Sequence, residues 1–114
     1  MVPERRYSQR ILTGPEHTIR FLARGHVFQN IRITNVSVGG CFATLGGRDR
    51  NLFPEQGLLE QFAFEHPDLA GSPFTARVAY TLDSPALDFM GVGITFLGPP
   101  EPILRRLEAF LGDF

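Results

Sequence analysis

The sequence predicts an all-β protein that ends in one α-helix. Between residues 17 and 97, apolar and polar residues alternate in about six short segments, which is typical of half-buried strands. The connections between these segments leave no room for the helices of a parallel sheet, so we expect an antiparallel sheet or barrel. A chain of 114 residues that is 43% hydrophobic suits a single domain, residues 1–114, with one core.

The alternating segments can be placed in order along the chain. The first two, "HTIRFLAR" and "VFQNIRIT", are separated only by "RGH" (Arg24 to His26) and therefore predict a hairpin. A third strand, "CFATL", precedes "LGGRDRNLFPEQG", whose glycines, proline and charges are typical of a surface loop. Three further strands are predicted at "LLEQFAFE", "FTARVAYTL" and "FMGVGITFL".

Alternation also predicts which side chains of the last two strands share a face. On the fifth strand these are Ala76, Val78, Tyr80 and Leu82. On the sixth strand they are Met90, Val92, Ile94 and Phe96.

The end of the chain, "PPEPILRRLEAFLGDF", changes from strand to helix periodicity. A proline start and a stop at Gly112 predict a helix over residues 101–112. Its apolar stripe consists of Ile103, Leu104, Leu107, Phe110 and Leu111. We expect this stripe to close one end of a barrel, and a homodimer contact is the main alternative.

Composition excludes several classes of protein. No run of eighteen apolar residues predicts a membrane span, and "MVPERRYSQR" lacks the pattern of a signal peptide, so we expect a cytoplasmic protein. The single cysteine, Cys41, cannot form an internal disulfide or a zinc cage and is interpreted as a small buried hydrophobe.

The sequence offers little support for catalysis. His17, His26 and His66 fall in separate predicted loops or strand ends, without the spacing or companion cysteines of a metal site, and are expected to be solvated. No nucleophile motif or phosphate-binding glycine loop is present. The sequence therefore predicts a protein that is not an enzyme and has no metal and no cofactor.

Charge is distributed unevenly along the chain. Residues 1–50 contain eight arginines and three acidic residues, which gives a net charge of +5. Residues 51–114 contain three arginines and nine acidic residues, which gives −6. An anion is therefore expected to bind to the first half of the chain. The charged basic residues there are all Arg, and the planar guanidinium group of Arg can form paired hydrogen bonds with a phosphate or with the edge of a guanine.

Two motifs lie in this basic half. Arg6 and Arg10 form an Arg-x-x-x-Arg pattern preceded by Arg5, in a segment with few hydrophobic residues. Residues 35–40, "NVSVGG", form an Asn-x-Ser-x-x-Gly pattern between two predicted strands. Taken separately, such arginines are usually solvated surface and such a polar glycine segment is usually a turn or bulge.

Taken together and in this order, the two motifs resemble those of the PilZ domain, and the strand "MGVGITF" resembles a late Gly-x-x-Phe strand of that family. The resemblance implies a six-stranded antiparallel barrel (residues 12–98), a flexible ligand-binding arm (1–11) and a helix across one end. The implied ligand is the bacterial second messenger cyclic di-GMP. The implied ligand-binding residues are Arg5, Arg6, Arg10, Asn35, Ser37, Gly39 and Gly40.

The resemblance also implies a role for each residue. Arg6 and Arg10 hold phosphates and guanines, Asn35 and Ser37 meet a guanine and a phosphate, and the glycines allow close approach of the backbone. The commoner residue at position 35 is Asp; Asn keeps a carbonyl acceptor for the guanine N1 and N2 hydrogens but lacks the charge. A further guanidinium at Arg5 could stack on a second guanine, which favours two cyclic di-GMP molecules per protomer.

Three functional hypotheses remain open. The first is a receptor that relays ligand binding to an unidentified protein effector through ordering of the arm. The second is a PilZ-like protein–protein interaction module that does not need nucleotide, although the presence of both motif arginines argues against it. The third, a barrel that binds single-stranded nucleic acid, is the weakest, because the chain has no Lys and no strongly basic overall charge.

Overall fold

The computed structural model describes residues 9–84, 86 and 88–112. Seven strands lie within these ranges: β1 (Ile11–Leu12), β2 (Thr18–Ala23), β3 (His26–Val36), β4 (Gly40–Gly46), β5 (Leu58–Phe64), β6 (Phe74–Ser84) and β7 (Phe89–Leu97). A 3₁₀ helix (Gly47–Leu52) follows β4, and an α-helix, α1 (Glu101–Phe110), ends the described chain.

Six of the strands form a closed antiparallel barrel. Their order is β3-β2-β5-β6-β7-β4, and a pairing between β3 and β4 closes the ring. Closure leaves no free edge among these six strands except where short strands end, which removes a common route to aggregation. The predicted six-stranded barrel with a C-terminal helix is therefore confirmed.

The additional strand, β1, comes from the end of the predicted arm. Ile11 pairs with Val36 and Leu12 pairs with Asn35, so β1 extends the sheet beside the end of β3. Ile11 also packs against the hydrophobic core, and this burial stabilises β1 on the barrel. The first strand thus begins at residue 11, one residue before the predicted start of the barrel.

Local backbone chemistry explains the first hairpin. Arg24 and Gly25 both have positive φ angles, 52° and 81°, between the paired strands β2 and β3. Two central residues with positive φ are typical of the type I′ turn, whose twist matches that of antiparallel strands. The hairpin predicted at Arg24 to His26 is confirmed.

The barrel interior is filled mainly by phenylalanine. Phe62 is fully buried and contacts the rings of Phe21, Phe64, Phe74 and Phe96 at centroid distances of 5.3–6.3 Å. Several of these pairs are edge-to-face or tilted, as aromatic quadrupoles prefer. Met90, Val92, Ile94 and Phe96 of β7 all face this core, as predicted.

Helix α1 places its apolar stripe on the barrel core. Ile103, Leu107 and Leu111 are buried in the same cluster as the strand residues, and Leu104 and Phe110 pack against its edge. Residues 111 and 112 form the turn that ends the helix, so α1 is two residues shorter than predicted. Most of this stripe is therefore covered within the chain, as expected for a helix that closes the barrel, and the homodimer contact stays an untested alternative.

Two predicted features differ from the structure. Tyr80 and Leu82 were expected to share the buried face of Ala76 and Val78, but both are exposed. A register shift between Val78 and Tyr80 interrupts the alternation of β6, because a bulge changes the face on which later side chains lie. The segment after β4 contains the 3₁₀ helix rather than only a loop, and its neighbour Phe53 is buried.

Within the described ranges, no helix has both the length and the apolar character needed to cross a bilayer.

Gly40 is predicted to be essential to barrel closure. A Cβ at this position would lie 2.1 Å from the backbone oxygen of Ile94 on β7, an atom that cannot move without disturbing the ladder. We expect Gly40→Ala to lower the free energy of unfolding by about 1–3 kcal/mol in urea titrations. The matched control is Gly46→Ala, where a Cβ meets open space and the backbone is extended. Equal stability of the two variants would contradict this packing argument.

Candidate ligand-binding site

The candidate site begins at a bulge near the end of β3. The pairing of β3 with β4 shifts register between Ile33 and Asn35. Thr13 stabilises the irregular backbone: its amide donates to the Thr34 oxygen at 3.1 Å and its hydroxyl donates to the Ile33 oxygen at 2.7 Å. The bulge interrupts regular alternation immediately before Asn35, which is partly exposed.

Arg10 and Asn35 meet at this bulge. Pairing of β1 with the end of β3 places Arg10 next to the motif, and its Nη1 donates a hydrogen bond to Asn35 Oδ1 at 2.8 Å. Because Arg only donates, this contact orients the amide oxygen towards Arg10. Within residues 9–84, 86 and 88–112, the other donors of the exposed guanidinium and the Asn35 amide hydrogens have no acceptor, so they can serve a ligand.

This contact changes the interpretation of Asn35. The sequence comparison with PilZ domains implied that its carbonyl would accept from the guanine N1 and N2 hydrogens. In the structure that oxygen accepts from Arg10, its second lone pair can still accept, and the Asn35 amide hydrogens can donate. Acceptors such as guanine O6 and N7 or a phosphate oxygen match a donor.

Ser37 lies inside the turn that follows β3. The side chain is 2% exposed, and its hydroxyl oxygen accepts from the amides of Gly39 and Gly40 at 3.2 Å each. The hydroxyl also donates to the Gly40 oxygen at 3.3 Å, and the Ser37 amide donates to the same oxygen at 2.8 Å. The observed partners of the Ser37 hydroxyl thus hold the turn, and the predicted contact between Ser37 and a phosphate stays a prediction.

The two motif glycines contribute in different ways. Gly39 is exposed and its oxygen accepts from the Phe96 amide at 2.9 Å, whereas Gly40 is buried against β7. The amides of both glycines donate to the Ser37 hydroxyl oxygen. Beside this turn, the polar side chain of Arg10 is exposed and that of Asn35 is partly exposed.

An aromatic surface adjoins Asn35 on the outside of the barrel. Asn35 pairs with Phe42 on β4, Phe42 pairs with Gly93 on β7, and Gly93 pairs with Tyr80 on β6. Paired residues of an antiparallel ladder share a face, so these positions form one row across four strands. The rings of Phe42 and Tyr80 lie with centroids 6.1 Å apart, and we call this pair the aromatic shelf.

Two glycines make room for the aromatic shelf. A Cβ at Gly91 would lie 2.3 Å from the ring of Phe42, and a Cβ at Gly93 would lie 2.2 Å from the ring of Tyr80. Tyr80 is 43% exposed, so part of its ring remains open to solvent. Sequence reasoning missed this surface because it placed Tyr80 on the same face as Ala76 and Val78, which are buried. The signal that could have found it is the alternating "GVG" of β7, which leaves an outward strip without side chains.

The structure describes only part of the predicted site. It brings Arg10, Asn35, Ser37, Gly39 and Gly40 to one end of β3, next to β1. Arg5 and Arg6 lie outside the described residues. Cys41 is fully buried beside the turn, and burial raises the pKa of its thiol, which agrees with its interpretation as a small core residue.

One histidine expectation is wrong. His17 was expected to be solvated, but it is buried and its ring stacks on His66 at a centroid distance of 4.2 Å. Burial, and secondarily the neighbouring His66, lower the pKa of His17. Residues distant in sequence came together here because β2 and β5 are neighbours in the barrel.

A surface cleft of about 380 Å³ lies away from the candidate site. Its lining consists of Leu22, Glu60, Gln61, Pro73, Phe74 and Thr75. Glu60 is the one charged residue of this lining, so the cleft does not suit an anion. The open surface formed by Arg10, Asn35 and the aromatic shelf has the chemistry for an anionic ligand with flat rings.

The fold is a small closed barrel with a helix over one end and a polar motif beside an aromatic surface. Structure comparison identifies the architecture as PilZ-like. The PilZ domain of Escherichia coli YcgR with c-di-GMP superposes on this chain with a TM-score of 0.66 at 15% sequence identity. The superposition covers 90% of this chain and 86% of the YcgR domain. No protein-family model matches the sequence, and no curated protein matches it either.

Two other solved structures share the fold. The K. pneumoniae MrkH–c-di-GMP complex gives a TM-score of 0.74 at 17% identity and covers 90% of this chain. The Borreliella burgdorferi PlzA protein in complex with c-di-GMP gives a TM-score of 0.64 at 12% sequence identity and covers 95% of this chain. The present chain spans only 49% of MrkH and 52% of PlzA.

Ser37 is predicted to stabilise the turn irrespective of any ligand. Replacing it with Ala removes a buried hydroxyl and leaves the amides of Gly39 and Gly40 without their acceptor. We expect Ser37→Ala to lower the free energy of unfolding by about 1–3 kcal/mol in urea titrations. Ser72→Ala, at an exposed position, is the control and should be near neutral. If Ser37→Ala unfolds at the same urea concentration as the control, the turn does not depend on this hydroxyl.

Proposed function

We propose that this chain is a non-enzymatic receptor for cyclic di-GMP in the bacterial cytoplasm. The ligand would lie on the outer surface of the barrel at the end of β3, in contact with Arg10, Asn35 and the aromatic shelf. The hydrogen bond between Arg10 and Asn35 carries this proposal, because it joins the two sequence motifs at one place. The PilZ-like architecture of the chain supports it.

The chemistry of the ligand matches these groups. Cyclic di-GMP has two phosphates, two flat guanines and Hoogsteen edges that present O6 and N7 as acceptors. The unused donors of Arg10 suit a phosphate or the O6 and N7 atoms, and the Asn35 amide hydrogens suit the same acceptors. The exposed part of Tyr80 offers a face on which a guanine can stack.

Arg5 and Arg6 would complete the site from the N-terminal arm. Arg6 lies four residues before Arg10 and Arg5 immediately precedes Arg6, so the three guanidinium groups provide positive charge for two phosphates. We propose that Arg5 stacks on a second guanine and that two cyclic di-GMP molecules bind per protomer. The stoichiometry of a titration with Arg5→Ala, compared with the wild type, distinguishes two ligands from one.

The arm provides a way to relay binding. Ile11, at the end of the arm, is anchored by the pairing of β1 with β3, next to the proposed ligand-binding residues Arg10 and Asn35. A ligand that holds the arginines would order the arm against the barrel and change the surface available to a protein effector. The size of that change is limited by the difference in ligand affinity between the two arm conformations.

Calorimetric titration of the full chain with cyclic di-GMP tests the proposal. We expect saturable binding, with no comparable heat from GMP or GTP, since neither has two guanines joined through two phosphates. Absence of binding by the folded protein at millimolar cyclic di-GMP would contradict the proposal.

Arg10 is predicted to be needed for affinity rather than for folding. Arg10→Ala removes charge-assisted hydrogen bonds and should weaken cyclic di-GMP binding by about 1.5–3 kcal/mol. Arg10→Lys should also weaken binding, because Lys keeps the charge but lacks the planar fork. Arg105→Ala, on the exposed face of α1, is the control and should bind as the wild type does. Wild-type affinity of both Arg10 variants would remove this residue from the site.

The aromatic shelf is predicted to contribute stacking. Tyr80→Ala should weaken binding by about 1–3 kcal/mol, the usual contribution of one base stacked on an aromatic side chain. Tyr80→Phe keeps the ring and should retain affinity. Calorimetry gives both values, and similar losses in the two variants would show that the hydroxyl, not the ring face, is what matters.

One observation favours a second candidate function. Leu12 and Leu82 are large apolar side chains with exposed fractions of 86% and 58%. Such residues are common at protein interfaces, so the barrel could act as a protein–protein interaction module that does not need nucleotide. A partner that binds the Arg10→Ala variant and the wild type equally, with or without cyclic di-GMP, would favour this function.

A further inference from the structure

A group of metal-binding side chains lies at the entry to β2. Glu16 and His17 end the connection from β1, and His66 follows β5, which pairs with β2. One ligand atom from each of the three residues lies within 4.8 Å of the others. Neither PilZ-like motif includes any of these residues.

His17 is held rigidly but lacks a hydrogen bond from its ring. Its side chain is buried between the ring of His66 and the edge of Phe110, at centroid distances of 4.2 and 4.9 Å. Its backbone is fixed by hydrogen bonds to Gly14 and Ile33. Among the described residues, its ring nitrogens make no hydrogen bond, and the Glu16 carboxylate lies 3.9 Å from Nε2. No fully buried side-chain nitrogen or oxygen among the described residues lacks a hydrogen-bond partner, so the unbonded His17 nitrogens reach the surface, where an ion can approach them.

His66 is oriented by its neighbour Asp68. The Asp68 amide donates to His66 Nδ1 at 3.1 Å, and an oxygen of the Asp68 carboxylate lies 3.6 Å from the same nitrogen. Because Nδ1 accepts from this amide, the proton of the neutral imidazole lies on Nε2 in the structure. Histidines that bind metals usually donate their second N–H to a carboxylate or a backbone carbonyl, and the Asp68 carboxylate is close enough to become that acceptor.

We propose that Glu16, His17 and His66 form a Zn²⁺ site that joins the β1–β2 connection to the turn after β5. Two imidazole nitrogens and one carboxylate oxygen are a donor set that suits Zn²⁺, with water in the fourth position. Binding of Zn²⁺ to Nε2 of His66 would displace the proton from Nε2, and the ring would carry its proton on Nδ1 instead. Nδ1 would then exchange its hydrogen bond from the Asp68 amide for one to the Asp68 carboxylate, which now lies 3.6 Å away.

The geometry requires a small closure. Donor atoms around tetrahedral Zn²⁺ are about 3.3 Å apart, as follows from Zn–N bonds of about 2.0–2.1 Å. Glu16 and His66 have side chains that are 58% and 25% exposed, so they can move towards the buried His17. The ion would then fasten two segments that are about fifty residues apart in sequence, beside the end of α1.

The proposal is tested with the full chain, without a histidine tag, freed of metal by a chelator. Calorimetric titration with ZnCl₂ should give one Zn²⁺ per chain, and saturation should raise the melting temperature. His66→Gln should weaken Zn²⁺ binding at least tenfold and abolish the rise in melting temperature. Asp68→Asn should weaken binding by about 10–100-fold, since it removes the carboxylate that orients His66.

The matched control is His26→Gln, which removes an exposed histidine of the β2–β3 hairpin and should leave Zn²⁺ binding unchanged. Absence of Zn²⁺ binding by the folded wild type would overturn the proposal. So would equal affinity of His66→Gln and the wild type, or loss of binding in His26→Gln. His66 and Asp68 are partly exposed, so their variants are expected to fold, as circular dichroism can confirm.

Discussion

Closure of the barrel between β3 and β4 is the constraint on which the rest of the structure depends. The Ser37 hydroxyl and the absence of a side chain at Gly40 allow a four-residue turn to lie directly against β7. That turn fixes the end of β3, and the adjacent bulge leaves Asn35 on the outer surface. β1 then pairs with the same segment and places Arg10 beside Asn35. The motif therefore has a structural role, and the surface that we propose for ligand binding follows from how the turn is held.

Much of the fold could be predicted because strand and helix periodicities differ. The alternation of β7 and the helical stripe of α1 identified their buried faces correctly, since both elements are regular. The prediction failed where regularity is interrupted. The bulge in β6 places Tyr80 on the surface, and the alternation of residues in this segment gives no indication of a register shift. β1 was missed because its two residues become a strand only through pairing with β3.

The candidate site was predictable in its residues but not in their contacts. The motifs indicated Arg10 and Asn35, and the structure brings them within hydrogen-bonding distance. The hydrogen bond itself, in which Asn35 Oδ1 accepts from Arg10, depends on tertiary structure. The aromatic shelf and the stacking of His17 on His66 join residues far apart in sequence, and strand order alone decides which of these meet. Neither the aromatic shelf nor the histidine stacking could therefore be predicted from the sequence.

The most direct measurement is a map of amide and side-chain chemical shifts of ¹⁵N-labelled protein with and without saturating cyclic di-GMP. The account places the ligand on the outer surface at the end of β3. It predicts the largest changes at Arg10, the Asn35 side-chain amide, Phe42 and Tyr80, with little change around the cleft formed by Leu22, Gln61 and Phe74. Changes concentrated at that cleft, or no changes at all, would contradict the account.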